Sequence, residues 1–238
     1  MDELEAHLER QTEGFAEFFW HRLRWRAVRS YLPRETPFSL LDVGAGAGLV
    51  GEYLAQEFPR ADYYFSEPIE ALRQRLIAAY GPERYLPEPR PALGIGFVTA
   101  LDVIEHIEDD RAFLEQLIVA LDPGTTVIIT VPALQRLWSQ WDVSLGHHRR
   151  YDRRSLRALL ASLPVDVVEV SYLFPELVPA GLWRARRSAR GAEAAAGASF
   201  PQLPRWANRA LYGFGAPLVS ARRAAPVGSS VLAVCRTH

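Results

Sequence analysis

The sequence contains no lysine, and all 27 of its basic residues are arginine. These arginines are balanced by 28 acidic residues, which leaves a net charge of -1. A chain this close to neutral lacks the basic excess on which general nucleic-acid binding depends, so we expect no nucleic-acid partner. Arginine is the better bidentate partner for carboxylate and phosphate groups, and any anion site here must use it.

Cysteine and long apolar runs are also scarce. Cys235 is the single cysteine, so no intrachain disulfide can form, which is typical of a reducing compartment. Residues 1–10 are acidic and polar, and we therefore expect no signal peptide. No uninterrupted apolar run approaches the roughly 18 residues that a membrane-spanning helix needs. We expect a cytoplasmic protein that is soluble or peripheral at the inner membrane face.

Hydrophobic residues make up 49% of the 238 residues, enough to form the core of one α/β domain. Short apolar strands alternate with segments of helical periodicity, which predicts a doubly wound, mostly parallel sheet with helices on both faces. The predicted strands are 39–43, 62–66, 97–104, 125–131, 165–172 and 230–235. The predicted helices are 3–31, 49–58, 69–80, 109–121 and one that Asp152 caps.

Two helical segments lie outside this alternation in the predicted single domain 1–238. Residues 1–36 form a predicted N-terminal helical cap, which Pro33 ends. Residues 174–228 separate the last two strands and are too long for an ordinary loop, so we interpret them as a helical insertion with helices near 177–190 and 203–222.

A glycine loop follows the first predicted strand, in Leu40-Leu-Asp-Val-Gly-Ala-Gly-Ala-Gly48. Glycines at a strand-to-helix turn let a ligand approach the backbone closely. The spacing is GxGxG rather than the GxGxxG of dinucleotide sites. Asp42 precedes the loop, and its charge would repel a diphosphate and attract an ammonium group. Glu67 ends the second strand, where a carboxylate can accept hydrogen bonds from both ribose hydroxyls. The alternative is that Asp42 and Glu67 are solvated strand ends.

The segment 40–48 resembles motif I of the class I S-adenosylmethionine-dependent methyltransferases. Residues 99–110 resemble the fourth strand of that family and its following turn, and 121–124 resemble the turn before its fifth strand. Residues 18–24 and 131–151 are similar to segments of a bacterial subgroup that is often associated with glycans, lipids or secondary metabolites. The match departs from this subgroup at Phe18 and His21.

The resemblance implies a seven-stranded-type sheet and S-adenosylmethionine as the cofactor. In that family the third strand usually ends in an acidic residue that contacts adenine. Residues 81–96 are rich in proline and glycine and show no clear strand and no acid so placed, so we predict that the third strand is short or missing. The implied cofactor site consists of Arg24, Asp42, Gly44, Ala45, Gly46, Gly48, Glu67, Leu101, Asp102 and Val103.

Two histidines are the candidate catalytic residues. His106 would lie close to the methyl group, or else would bond backbone at a helix start. His147 follows the fifth strand of the family on the acceptor side, where a histidine suits a general base. The candidate acceptor-binding residues are Trp138, His148, Arg150 and Tyr151. The alternative is that Trp138, Asp142, His147 and Arg150 hold the loop rigid through internal bonds. The spacing matches no metal-ligand pattern, so we expect no metal.

The segment 183–223 combines arginines and aromatic residues with Glu193 as its one acid. It is either an amphipathic surface that rests on anionic lipid or a helical lid with a solvated arginine face. We favour the lid. The expected function is methyl transfer to a small-molecule, glycan or lipid-linked acceptor. The alternatives are a non-catalytic cofactor-binding or scaffold protein and, less favoured, an NAD(P)-dependent oxidoreductase.

Overall fold

The structure is a computed structural model, and it describes residues 17–88, 93–191 and 203–238. Its strands are β1 (Phe38–Val43), β2 (Ala61–Ser66), β3 (Phe97–Leu101), β4 (Thr126–Pro132), β5 (Val165–Leu173) and β6 (Ser230–Thr237). Its helices are α1 (Phe19–Val28), α2 (Leu49–Glu57), α3 (Glu70–Tyr80), α4 (Asp110–Val119), α5 (Gln140–Ser144), α6 (Arg153–Leu160), α7 (Val178–Ala189) and α8 (Arg205–Ser220).

The strands form one sheet in the order β2-β1-β3-β4-β6-β5. Neighbours among β1 to β4 pair in parallel, and β6 runs antiparallel to β4 and β5. The predicted doubly wound, mostly parallel α/β fold is confirmed. Because β1 has β2 on one side and β3 on the other, the chain reverses its winding direction at β1, which is where such sheets bind ligands.

The third strand of the seven-stranded type is missing among the residues described between β2 and β3. A single parallel bridge between Phe65 and Tyr85 stands in its place. Pro82 and Pro87 flank Tyr85, and proline lacks the N–H donor that strand pairing requires. The prediction of a short or missing third strand is therefore confirmed for these residues.

Each face of the sheet has its own core, because alternate residues of a strand point to opposite faces. Val127 and Ile129 of β4 pack with Leu114 of α4 and Leu156 of α6. Ile128 lies between them in sequence and belongs to the opposite core. That second core includes buried residues from α1, α2, α3 and α8: Leu23, Leu54, Leu76 and Val219.

Most of the described helix and strand bounds lie within two residues of the sequence prediction, and β3 and the N-terminal helix differ by more. β3 ends at Leu101 instead of residue 104, because Asp102 adopts a left-handed conformation with φ 59° that a strand cannot continue through. The N-terminal helix α1 begins at Phe19, and the predicted helical residues 3–16 lie outside the described residues.

Two helices, α7 and α8, lie between β5 and β6, as the fold prediction stated. The residues 192–202 that join them lie outside the described part of the chain. Helix α8 packs on α1, and the Asn208 side chain accepts a hydrogen bond from the Phe19 amide at 2.7 Å. The domain limits 1–36 and 174–228 stay predictions. Within the described residues, no helix combines the length and apolar character needed to cross a membrane.

Candidate functional site

A cavity of about 580 Å³ opens at the carboxyl edge of the parallel strands. The glycine loop, the residues that follow β2 and β3, and the segment after β4 meet there because parallel strands end at the same edge. Helices α1 and α7 also line it, through residues such as Phe19 and Gly181. The lid interpretation places the insertion near the acceptor, but the sequence does not indicate which of its residues reach the cavity, because that depends on how the insertion folds back.

The glycine loop adopts backbone conformations that other residues rarely reach. Gly44 and Gly46 have φ angles of 68° and 55°. A Cβ atom added to Gly44 would lie 2.7 Å from Cγ2 of Val103, so the loop packs directly against the residues that follow β3. The amide of Gly44 donates to the Ser66 carbonyl at 2.8 Å, which ties the loop to the end of β2.

Glu67 holds the far side of this loop. Its Oε2 accepts a hydrogen bond from the Gly46 amide at 2.7 Å, and its Oε1 accepts one from the Ile69 amide at 2.8 Å. The side chain is buried and lines the cavity, and burial raises its pKa. Each carboxylate oxygen can accept a further hydrogen bond, so Glu67 can hold the loop and bind a ligand at once.

Asp42 lies behind the loop and also lines the cavity. Oγ1 of Thr99 donates to it at 2.7 Å, and the Tyr63 hydroxyl donates at 3.2 Å. Burial raises the pKa of Asp42 to about 7 despite these two donors. Asp42 is therefore a buried carboxyl group beside the cavity rather than a solvated strand end.

Arg24 and Asp102, two predicted cofactor residues, form an ion pair on the cavity wall. The Arg24 guanidinium lies 4.6 Å from the ring centroid of Trp20, which fixes its plane. The Asp102 amide donates to the Thr130 carbonyl at 2.8 Å and so supports the left-handed backbone of this residue. A strained residue held in this way at a strand end is typical of functional sites.

The two candidate catalytic histidines also line the cavity, and their ring centroids lie 4.7 Å apart. Nδ1 of His147 lies 3.0 Å from Oδ1 of the buried Asp142. Arg150 binds both oxygens of Asp142, at 2.7 Å from Nε and 3.1 Å from Nη2. Burial favours the protonated form of Asp142, yet hydrogen bonds from His147 and Arg150 hold its pKa below the usual range.

His106 is neutral at pH 7. Burial and the neighbouring His147 lower its pKa to about 4. His106 lies in the short 3-10 turn 104–106, which agrees in part with the alternative that it is a helix-start residue. Its side chain nevertheless lines the cavity. The structure thus brings His106 and His147 to one place across 41 residues of sequence, which no local pattern indicates.

Glu105 is a polar cavity residue that the sequence analysis did not select. Its side chain is fully buried, and neither carboxylate oxygen has a hydrogen-bond partner within the described residues. Burial, followed by the charge of Asp102, raises its pKa well above the ordinary value. Its position directly before His106 does not distinguish it in the sequence, because residues 102–110 contain several other acids.

The predicted site residues divide into two groups. Those on the cavity wall are Arg24, Asp42, Gly44, Ala45, Gly46, Glu67, Leu101, Asp102, Val103, His106, His147 and Arg150. Those outside the described wall are Gly48, Trp138, His148 and Tyr151. Tyr151 is buried, and its hydroxyl donates to Asp110 at 2.6 Å, which is a packing role. Binding roles for all these residues stay predictions.

The profile of a family described as a methyltransferase domain matches residues 19–170. The chain belongs to this methyltransferase family. The match spans most of the chain from α1 into β5 and contains the glycine loop, Glu67 and both histidines. The resemblance that the sequence motifs indicated is therefore confirmed, and the activity of this methyltransferase is methyl transfer.

Solved structures share the fold of this methyltransferase at low sequence identity. A chain of the complex between the Haloferax volcanii Trm112 methyltransferase activator and a putative methyltransferase has a TM-score of 0.63 and 15% identity, covering 100% of this chain and 99% of that chain. An S-adenosylmethionine-dependent methyltransferase from Archaeoglobus fulgidus has a TM-score of 0.56 and 14% identity, and the alignment covers 94% of this chain and 98% of that chain.

Haemonchus contortus phosphoethanolamine N-methyltransferase 2, in complex with S-adenosyl-L-methionine, has a TM-score of 0.57 and 16% identity. The alignment covers 92% of this chain and 52% of that chain, so this methyltransferase spans about half of its length. At such identities the likeness shows the fold alone. No curated protein matches the chain in sequence.

The raised pKa of Asp42 predicts a pH-dependent stability. The pKa of Asp42 is about 7 in the folded protein against an ordinary value of 3.8, so the stability that the protonated carboxyl group contributes is present in acid and is lost as the pH rises through 7. The variant Asp42→Asn cannot ionise, and its side chain can still pair with two hydroxyls. Its free energy of unfolding should rise relative to the wild type by roughly 2–4 kcal/mol between pH 4.5 and 7.5.

Urea denaturation at several pH values measures this difference. Glu115→Gln is the control, because Glu115 is exposed on α4. A wild-type-to-variant difference at Asp42 that is independent of pH would contradict the prediction.

Proposed function

We propose that this methyltransferase transfers the methyl group of S-adenosylmethionine to an oxygen of a small-molecule, glycan or lipid-linked acceptor. One observation carries the proposal: a single cavity is lined both by the glycine loop and Glu67 and by the His106–His147 pair. Cofactor and acceptor would therefore meet inside this cavity.

The residues around the glycine loop fit such a cofactor. The cradle at Gly44 has no room for a side chain, and the buried Glu67 offers two acceptor oxygens for ribose hydroxyls. Leu101, Asp102 and Val103 line the adjoining wall for the methionine end. When bound, S-adenosylmethionine supplies an activated methyl group on its sulfonium. The chain itself therefore needs chiefly to position the partners and exclude water.

Charge favours this cofactor over a dinucleotide. Asp42 and Glu67 both line the cavity beside the glycine loop. Their ionised forms would repel the diphosphate of NAD(P) and attract the ammonium and sulfonium groups of S-adenosylmethionine. A hydrogen bond from Arg24 to a cofactor carboxylate is part of the proposal, beside the ion pair of Arg24 with Asp102 and its contact with Nδ1 of His21.

The acceptor end contains a histidine oriented by a carboxylate. Asp142 bonds Nδ1 of His147, so the free nitrogen Nε2 is the atom that accepts a proton from an acceptor hydroxyl. Arg150 neutralises Asp142 and bonds the Ala133 carbonyl at 3.0 Å, which holds the pair against β4. In the competing scaffold function the same bonds are structural and no methyl transfer occurs.

His147→Ala should lower methyl transfer by roughly 10²–10⁴-fold, since general acid–base groups contribute factors of that size. The assay is transfer of labelled methyl from S-adenosylmethionine to extracts of the native host. Binding of S-adenosylhomocysteine should be unchanged. His238→Ala is the control, because His238 is exposed at the chain end. Cofactor binding with no labelled product from the wild type would favour the scaffold function.

Glu67→Ala should weaken S-adenosylhomocysteine binding by roughly 1–3 kcal/mol, because two charged hydrogen-bond acceptors are lost and the Gly46 amide loses its partner. Isothermal titration calorimetry measures the affinity, and NAD(H) should not bind. Glu70→Ala, three residues along on the exposed start of α3, is the matched control. Wild-type affinity in Glu67→Ala would count against the cofactor site.

The exposed face of α8 favours a lipid-linked acceptor. The protein would then act in the cytoplasm, in contact with the inner membrane face. Trp206 is 75% exposed and Phe214 62% exposed on this helix, which carries arginine and no acid. Trp183 of α7, 61% exposed, also lines the cavity. Aromatic and arginine side chains on one helix face are suited to an anionic lipid surface. Contact through 183–223 would place the cavity beside its acceptor.

The double variant Trp206→Ser/Phe214→Ser should lose most binding to vesicles that contain phosphatidylglycerol, because apolar area supplies much of interfacial affinity. Vesicle co-sedimentation measures this loss. Val119→Ser is the control, since Val119 is 71% exposed on α4 on the opposite side of the sheet. If the wild-type protein does not bind anionic vesicles, the membrane contact is contradicted and the lid interpretation of 183–223 remains.

A further inference from the structure

Three side chains that line the cavity form a cluster of metal-ligand type, and this cluster is called the acceptor wall below. Glu105, His106 and His147 each present one ligand atom, and these atoms all lie within 4.8 Å of one another. All three residues line the cavity. Two imidazoles and one carboxylate on one wall leave the cavity side open, which is the arrangement of catalytic rather than structural metal sites.

Glu105 is the independent sign that something is bound there. Its exposed fraction is 0%, and both carboxylate oxygens lack a hydrogen-bond partner within the described residues. The nearby Arg24 and Arg150 are each paired with another carboxylate, Asp102 and Asp142 respectively. Burial disfavours the ionised form of Glu105, and a cation in contact with the carboxylate would favour that form.

Both histidines are held in orientations that suit metal binding. Asp142 bonds Nδ1 of His147, and the Leu145 carbonyl bonds the ring of His106. Ligating histidines in metalloproteins use one ring nitrogen for the ion and give the other to a carboxylate or carbonyl in this way. The second nitrogen of each ring is then left for the ion.

We propose that Glu105, His106 and His147 bind a divalent first-row transition-metal ion, such as Zn²⁺, on the acceptor wall of the cavity. Its role rests on the proposed function: the open coordination position takes the oxygen of an acceptor hydroxyl. With the ion in place, Nε2 of His147 is a ligand, and the ion replaces it as the group that promotes loss of the hydroxyl proton.

The chemistry balances without a further reagent. The acceptor hydroxyl coordinates the ion, and its proton passes to water in the cavity. The oxygen then forms a bond to the methyl carbon while the bond from that carbon to sulfur breaks. The electron pair of the broken bond remains on sulfur, and S-adenosylhomocysteine is the second product. The ion changes neither its charge nor its ligands from the chain.

Metal binding is measured on the full chain after dialysis against a chelator, with no cofactor or acceptor present. Titration with Zn²⁺ and with Co²⁺ is followed by calorimetry, by elemental analysis and, for Co²⁺, by its visible absorption. We expect one ion per chain. Glu105→Gln and His106→Asn should each bind it at least roughly tenfold more weakly.

The matched control is Glu108→Gln, because Glu108 is exposed three residues after Glu105. Its metal affinity should equal that of the wild type. Glu105→Gln keeps the shape of the side chain and removes a buried charge, so it should fold, and circular dichroism checks this. His106→Asn provides a second variant if it does not. Absence of Co²⁺ binding by the wild type, or undiminished binding by folded Glu105→Gln, overturns the site.

S-adenosylhomocysteine binding to the metal-free protein separates this proposal from the proposed function. Metal binding without cofactor binding supports the site and contradicts the methyl-transfer function. Cofactor binding and undiminished methyl transfer in the presence of chelator overturn the metal proposal and leave the function, with His147 as a base.

Discussion

The hydrogen bonds that the Gly46 and Ile69 amides donate to the Glu67 carboxylate hold the cofactor end of the molecule together. They join the loop that leaves β1 to the turn that leaves β2, so two strand ends move as one unit. Because the loop also packs on Val103, the end of β3 has no freedom to shift independently. The cavity is thus shaped before any ligand enters, which lowers the conformational cost of binding.

Two buried arginine–carboxylate pairs contribute to the cavity region. Arg24 neutralises Asp102, and Arg150 neutralises Asp142. The use of arginine for both pairs follows from a sequence without lysine and suits buried sites, because the guanidinium stays charged there. Glu105 lines the same cavity, and within the described residues its carboxylate oxygens have no hydrogen-bond partner, which is the deficit that the proposed ion would remove.

The insertion after β5 connects distant parts of the methyltransferase. Helix α7 contributes to the cavity wall, while α8 packs on α1 and presents aromatic residues outward. Glu169 of β5 extends this bracing, since it binds Arg222 just after α8 and the Tyr31 hydroxyl just after α1. The insertion therefore contributes to the cavity wall and also presents the exposed aromatic face of α8.

Local sequence determined the strand–helix alternation, the glycine loop and the carboxylates at Asp42 and Glu67, because periodicity, turn chemistry and strand ends depend on near neighbours in the chain. The absence of a third strand among the residues described between β2 and β3 was also predictable from the sequence, since proline removes the N–H donor of its own backbone. Only the tertiary structure decided that His106, His147 and Glu105 share one wall, that Asp142 orients His147, and that Tyr151 packs away from the cavity. These relations join residues tens of positions apart, and no local pattern specifies how distant segments pack.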